Sequence, residues 1–186
     1  MRLLALSAAV LFSAAPVAAA DPRPEPVVLE GDVAAPPAEV WRALTSPRGV
    51  RSFFAAQAKV EPMIGGAYEI YFIPTNPPGL RGTENVRILA MEPPRRLLIS
   101  WNAPTAFGDL RTQQTTVEFE LAPAARGTRL TLTHFGWGRG ARWQKVRDYF
   151  AGAWPYVLGQ LQYRFDHGPI DWKRPPDGAA YFKPAS

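Results

Sequence analysis

The chain has 186 residues, a formal net charge of +5, no cysteine and two histidines. Its length suits one domain with a full core, and without cysteine that domain has no disulfide, thiolate metal site or cysteine nucleophile. The positive excess is modest and its arginines are scattered, which is too diffuse for the basic stripe of a nucleic-acid-binding face.

Residues 1–20, MRLLALSAAVLFSAAPVAAA, carry one charged residue, Arg2, and end small-x-small at Ala18 and Ala20. This is the pattern of a secretory signal peptide cut after Ala20. Ser13 and Pro16 break the apolar run short of the about 20 residues that a membrane span requires. Cleavage removes Arg2 and leaves a periplasmic or secreted chain at +4, with no second long apolar run to anchor it. Residues 21–26, DPRPEP, read as a flexible, extended leader.

Val27–Val33 predicts the first strand. In APPAEVWRALTSP, Pro37 suits a first helical turn, and Val40, Trp41 and Leu44 share one face. Thr45 or Ser46 ends that helix and caps a second, short one begun at Pro47. The period then changes to alternation. AKVEPM is a short strand and Gly65-Gly66 a tight turn. AYEIYFIP is a strand with Tyr68, Ile70 and Phe72 on one face. TNPPGLRG is a loop. TENVRILAMEPP reads as one strand with Glu84, Val86, Ile88 and Ala90 on one side. RRLLISWNA aligns Leu97, Ile99 and Trp101, and TAFGDLR is a loop. TQQTTVEFELAP and TRLTLTHFGW alternate cleanly and place Phe119, Leu130, Leu132 and His134 on the dry side.

From Trp143 onward, Val146, Phe150, Ala153, Trp154, Val157, Leu158, Leu161 and Phe165 form one helical stripe. Pro155 predicts a kink between Ala151 and Trp154, and Gly168-Pro169 ends the helix. Residues 173–186 form a C-terminal tail, and Trp172 just before it is able to pack. Strand, two short helices, a run of strands and a long amphipathic helix give an α+β fold. In it a curved antiparallel sheet of about seven strands wraps the last helix, with a space between them.

The stretches APPAEVWRALTSPRGVRSFF, GGAYEIYF, RGTENVRILAMEPPRRLLISW, TTVEFELAPAARGTRLTLTHFGWG and LQYRFDHGPIDW resemble the SRPBCC superfamily, the START-like or helix-grip proteins. The branch they resemble is the one named for the activator of the heat-shock-protein-90 ATPase. The resemblance spans 27–172. It implies a helix-grip fold and an apolar cavity between sheet and long helix, and it transfers no fixed catalytic set, because this fold hosts carriers, cyclases and co-chaperone modules. An exported chain would not meet a cytosolic chaperone, so the branch name would then record ancestry of fold.

Three functional readings follow. The first is a binding protein for a small apolar or amphipathic ligand, with Tyr68, Phe72, Trp101, Phe119 and Trp154 as cavity wall, Arg81 as a cap for an anionic head, and Trp137 at the lip with Arg139 and Arg142. The second is a cyclase- or hydrolase-like enzyme with Glu84 and His134 as acid/base pair. The third is a protein-interaction module of the activator type. His134 is read either as a buried histidine satisfied by its neighbours or as a polar group on the cavity wall. GWGRG follows a strand and opens a helix as a phosphate loop does, yet it lacks the GK[ST] ending and reads equally as a flexible joint. No cofactor motif, G-x-S-x-G elbow or HExxH pair is present.

Overall fold

The structure, a computed structural model, describes residues 22–185; the signal-peptide segment lies outside them. Val27–Val33 (β1) is followed by Pro37–Thr45 (α1) and Pro47–Arg51 (α2). Both helices begin at a proline, whose fixed φ suits a first turn. Ser46 caps α2 by accepting a hydrogen bond from the Gly49 amide at 3.0 Å.

Seven further strands follow: Gln57–Val60 (β2), Tyr68–Tyr71 (β3), Gly82–Thr83 (β4), Ile88–Glu92 (β5), Arg96–Trp101 (β6), Thr115–Ala124 (β7) and Gly127–Phe135 (β8). They build two antiparallel sheets rather than one. Five strands run in the order β1-β8-β7-β6-β5, and three in the order β2-β3-β4. The segment read as one strand through Glu84–Ala90 is broken. Asn85 takes a left-handed φ of 61°, and its amide bonds to the Glu69 carboxylate at 2.9 Å. β4 therefore stays with the small sheet while β5 joins the large one. A register shift between Ile88 and Ala90 then turns Ala90 away from the dry face. β3 also stops at Tyr71, so Phe72 leaves the line of Tyr68 and Ile70 and stands half exposed.

The TAFGDLR loop is a pair of 3-10 turns, Thr105–Thr112, joined through Gly108. The last long helix, Ala141–His167 (α3), is continuous through Pro155. Gly168, at a φ of 97°, ends it. Trp154 and Leu161 of α3 are buried with Leu97, Ile99, Val117 and Phe119 of the large sheet, which places the core between helix and sheet. The tail returns along α3, adds a short helix, Gly178–Tyr181 (α4), and lays Pro184 beside Gly31 of β1. Gln162 of α3 clamps it, exchanging two hydrogen bonds with the Lys183 backbone at 2.8 and 2.9 Å. The leader is tethered as well: the Glu25 carbonyl accepts from the Trp137 indole at 3.2 Å. Among the described residues no helix is long and apolar enough to cross a membrane.

Candidate functional site

An open cleft of about 610 Å³ runs along α3. One wall is the helix from Tyr149 to Gln160. The other is the segment from Tyr71 to Thr83, and the floor is Phe54 and Trp101. The aromatic groups on this floor touch each other. Trp101 lies 5.2 Å from Trp154 between ring centroids, Phe54 lies stacked 5.9 Å from Trp101, and Phe72 lies 6.1 Å from Phe54. Phe72, Ile73 and Leu80 are half exposed at the mouth. Trp172 closes one end, held by its indole N–H donating to the Arg51 carbonyl at 2.7 Å.

Of the wall residues expected from sequence, Phe72, Arg81, Trp101 and Trp154 line this cleft. Tyr68 does not. It is fully buried, and its hydroxyl donates to the Leu44 carbonyl at 2.9 Å, tying the small sheet to α1. Burial pushes its pKa up. Phe119 sits beneath Trp154, edge to face at 6.3 Å, as core.

His134 points into a packed core, with no exposed surface. Trp154 donates its indole N–H to Nδ1 at 3.0 Å, so the ring proton resides on Nε2. That nitrogen donates to the Thr115 hydroxyl at 2.7 Å, which donates to the Trp101 carbonyl at 3.2 Å. This directed chain ties the Trp154 indole of the helix wall to the Trp101 backbone of the floor. Burial holds the imidazole well below its ordinary range and keeps it neutral.

Glu84 is not the partner of His134. Its carboxylate accepts from the Arg81 amide and Nε at 2.9 Å and from Arg81 Nη2 at 2.7 Å. Burial alone would raise its pKa, but the Gly79 and Arg81 amides and the Arg81 guanidinium more than reverse this and leave it lowered. Glu84 is therefore the anchor of the 79–84 bend, and Arg81, stacked 4.5 Å over Tyr71, is neutralised by it. An i,i+3 pairing within a loop outweighed the strand-face alternation that had aimed Glu84 at His134.

The GWGRG joint is no cradle. Trp137 is buried and packs 4.1 Å from the His134 ring, and the Trp143 indole occupies the space where a side chain on Gly138 would go. Arg139 and Arg142 do not line the cleft; Arg142 pairs with Asp109 on the surface.

Arg111 and Gln160 are among the polar residues of the cleft that escaped the sequence reading. Arg111, in the 3-10 segment, donates to Asn102 and the carbonyls of Ala103, Gly79 and Gly82. Gln160 lies on the apolar stripe of α3 at 2 % exposure. Its spacing from Ala153 and Val157, seven and three residues, was a readable signal of a polar group on the buried face.

The family model described as activator of Hsp90 ATPase homolog 1-like protein matches residues 34–166. The chain belongs to this family. Solved structures with the same fold include a protein from Mesorhizobium loti, 23% identical, TM-score 0.62, covering 78% of this chain and 100% of that one. The Aha1 dimer from Colwellia psychrerythraea aligns at 14% identity and TM-score 0.61 over 77% of this chain and 98% of that one. A protein from Rhodobacter sphaeroides aligns at 26% identity and TM-score 0.53 over 75% and 88%. No curated protein matches the sequence. The fold is thus START-like, of the kind that serves ligand-binding and activator-type domains.

Proposed function

We propose that this chain is an exported binding protein for a small apolar or amphipathic molecule, held in the cleft between α3, the 71–83 wall and the end of β6. The observation that carries the reading is the cleft itself. At about 610 Å³ it falls within the ordinary range of small-molecule sites, and its floor is aromatic. The apolar side chains at its mouth favour uptake of a poorly soluble molecule. Against the acid/base reading stands the commitment of Glu84 to Arg81 and of His134 to Trp154 and Thr115, which leaves neither group poised over the cleft.

The test is native mass spectrometry after incubation with a lipid and small-molecule extract, alongside fluorescence titration with the neutral probe N-phenyl-1-naphthylamine. Retained mass and saturable, one-to-one probe binding are expected. A protein that keeps no mass and does not bind the probe refutes the reading. Export rests on the sequence of residues 1–20, and N-terminal sequencing of the protein recovered from the producing cells should begin at Asp21.

A further inference from the structure

The polar complement of the cleft narrows the ligand further than its apolar floor does. Two arginines line it and no aspartate, glutamate or lysine. Arg81 is neutralised by Glu84. Arg111 has no carboxylate hydrogen-bonded to it: its acceptors are one carboxamide oxygen and three backbone carbonyls, and Glu84, already engaged by Arg81, acts on it only through space. Its Nε–H makes no hydrogen bond to the described residues. Two guanidiniums thus share one carboxylate, and a net positive charge is left on a largely apolar wall, where electrostatic attraction is stronger than in water.

Gln160 supplies the second feature. It is 2 % exposed, yet its carboxamide has no hydrogen-bond partner among the described residues. Among those residues no fully buried side-chain nitrogen or oxygen lacks a partner, so the amide atoms keep a little exposed surface, and the residue lines the cleft. A carboxamide withdrawn from bulk water is costly unless something meets it.

These two groups stand on opposite walls: the Arg111 guanidinium is held at the Gly79 and Gly82 carbonyls of the 71–83 wall, and Gln160 lies on α3. Arg111 belongs to the segment whose Phe107 meets Tyr149 edge to face at 5.9 Å. Gln160 lies at the tail end, against Gly178 and in the same cleft wall as Trp172. The aromatic floor of Phe54, Trp101 and Trp154 lies between.

We infer that the cleft selects an organic monoanion: a flat aromatic amphiphile with a carboxylate toward Arg111 and a neutral hydroxyl or carbonyl toward Gln160. This rests on the binding reading above and adds charge and polarity to it. The guanidinium balances the carboxylate, its Nε–H donates to it, and the Gln160 amide serves as donor or acceptor for the far group.

The test compares 4′-hydroxystilbene-4-carboxylate with the carboxamide of the same skeleton by titration calorimetry on the wild-type protein, so that no variant has to fold. The acid should bind about tenfold tighter than the amide, the gain expected of a charge-assisted contact. In Arg111→Gln the acid should lose its advantage over the amide, read as the ratio of the two affinities because the variant also gives up the hydrogen bonds that hold the 79–82 wall. Gln160→Leu should weaken the hydroxylated acid relative to stilbene-4-carboxylate. Equal binding of acid and amide by the wild type overturns the monoanion and leaves the binding reading standing. If neither compound nor the neutral naphthylamine probe binds, both fall.

Discussion

His134 shows how one side chain can matter to a site without touching its contents. Its ring accepts from Trp154 and donates toward Thr115, so the neutral Nε2–H form is the one the core accommodates. A proton on Nδ1 would face the Trp154 N–H, donor against donor, and the surrounding rings of Trp137, Phe150 and Trp154 carry no charge to balance it. The folded pKa lies below the ordinary 6.5, so the unfolded chain binds the extra proton more readily. Stability from this group is complete above about pH 6.5 and is lost as the pH falls toward the lower folded value, at up to about 1.4 kcal/mol per pH unit. Urea denaturation between pH 7 and pH 5 should show this slope. His134→Phe should remove it and cost about 1–3 kcal/mol at pH 7 by leaving the Trp154 N–H donor and the Thr115 hydroxyl acceptor unmet. A variant that keeps the slope would place the titration elsewhere. Tyr68→Phe belongs to the same scale: it strands the Leu44 carbonyl and should cost about 1 kcal/mol, with the cleft untouched.

At the scale of elements, α3 and the tail form a single wall. Gly159 of α3 lies directly against the Gly178 carbonyl, and a Cβ there has nowhere to go. Gly159→Ala should lift α4 and the segment that carries Trp172, speeding tryptic cleavage between residues 171 and 183. Gly152 is the control, because a Cβ on it meets nothing and alanine is the better helix former by about 1 kcal/mol. Gly152→Ala should therefore raise the melting temperature and leave the cleavage rate alone. Equal protection of the tail in both variants would mean that it is not seated by this contact. The same scale explains what was legible in the chain. β1, β7 and β8 each bury one face, as do residues 96–99 of β6 and 143–154 of α3, and alternation or helical spacing announces such stretches directly. The β4–β5 break was hidden, because an asparagine at positive φ and a register shift leave the hydrophobic pattern of 84–90 almost intact. Arg111 was hidden for another reason. Its partners, Gly79, Gly82, Asn102 and Ala103, are remote or unremarkable in sequence, and only the folded loop brings their carbonyls to one point.

For the molecule as a whole, the cleft is a cost that the fold carries. A START-like domain packed to native density would close the space between α3 and the 71–83 wall, and apolar surface left facing it forfeits burial worth about 25 cal/mol per Å². Stability and binding should therefore trade against each other at side chains that point into the space and are not needed for the core. Ala153 is one: it is half-buried, lines the cleft beside Trp154, and sits where a longer side chain continues the apolar stripe. Ala153→Leu suits the helix and should gain about 1 kcal/mol in urea denaturation by filling part of the void. The same change should weaken N-phenyl-1-naphthylamine binding about tenfold, because each buried methylene placed in the cleft takes room from the ligand. Opposite signs in the two measurements identify the cleft as space maintained at the expense of stability. A variant that is destabilised, with probe affinity unchanged, would mean that the walls already meet around Ala153 and that the opening is incidental to the fold.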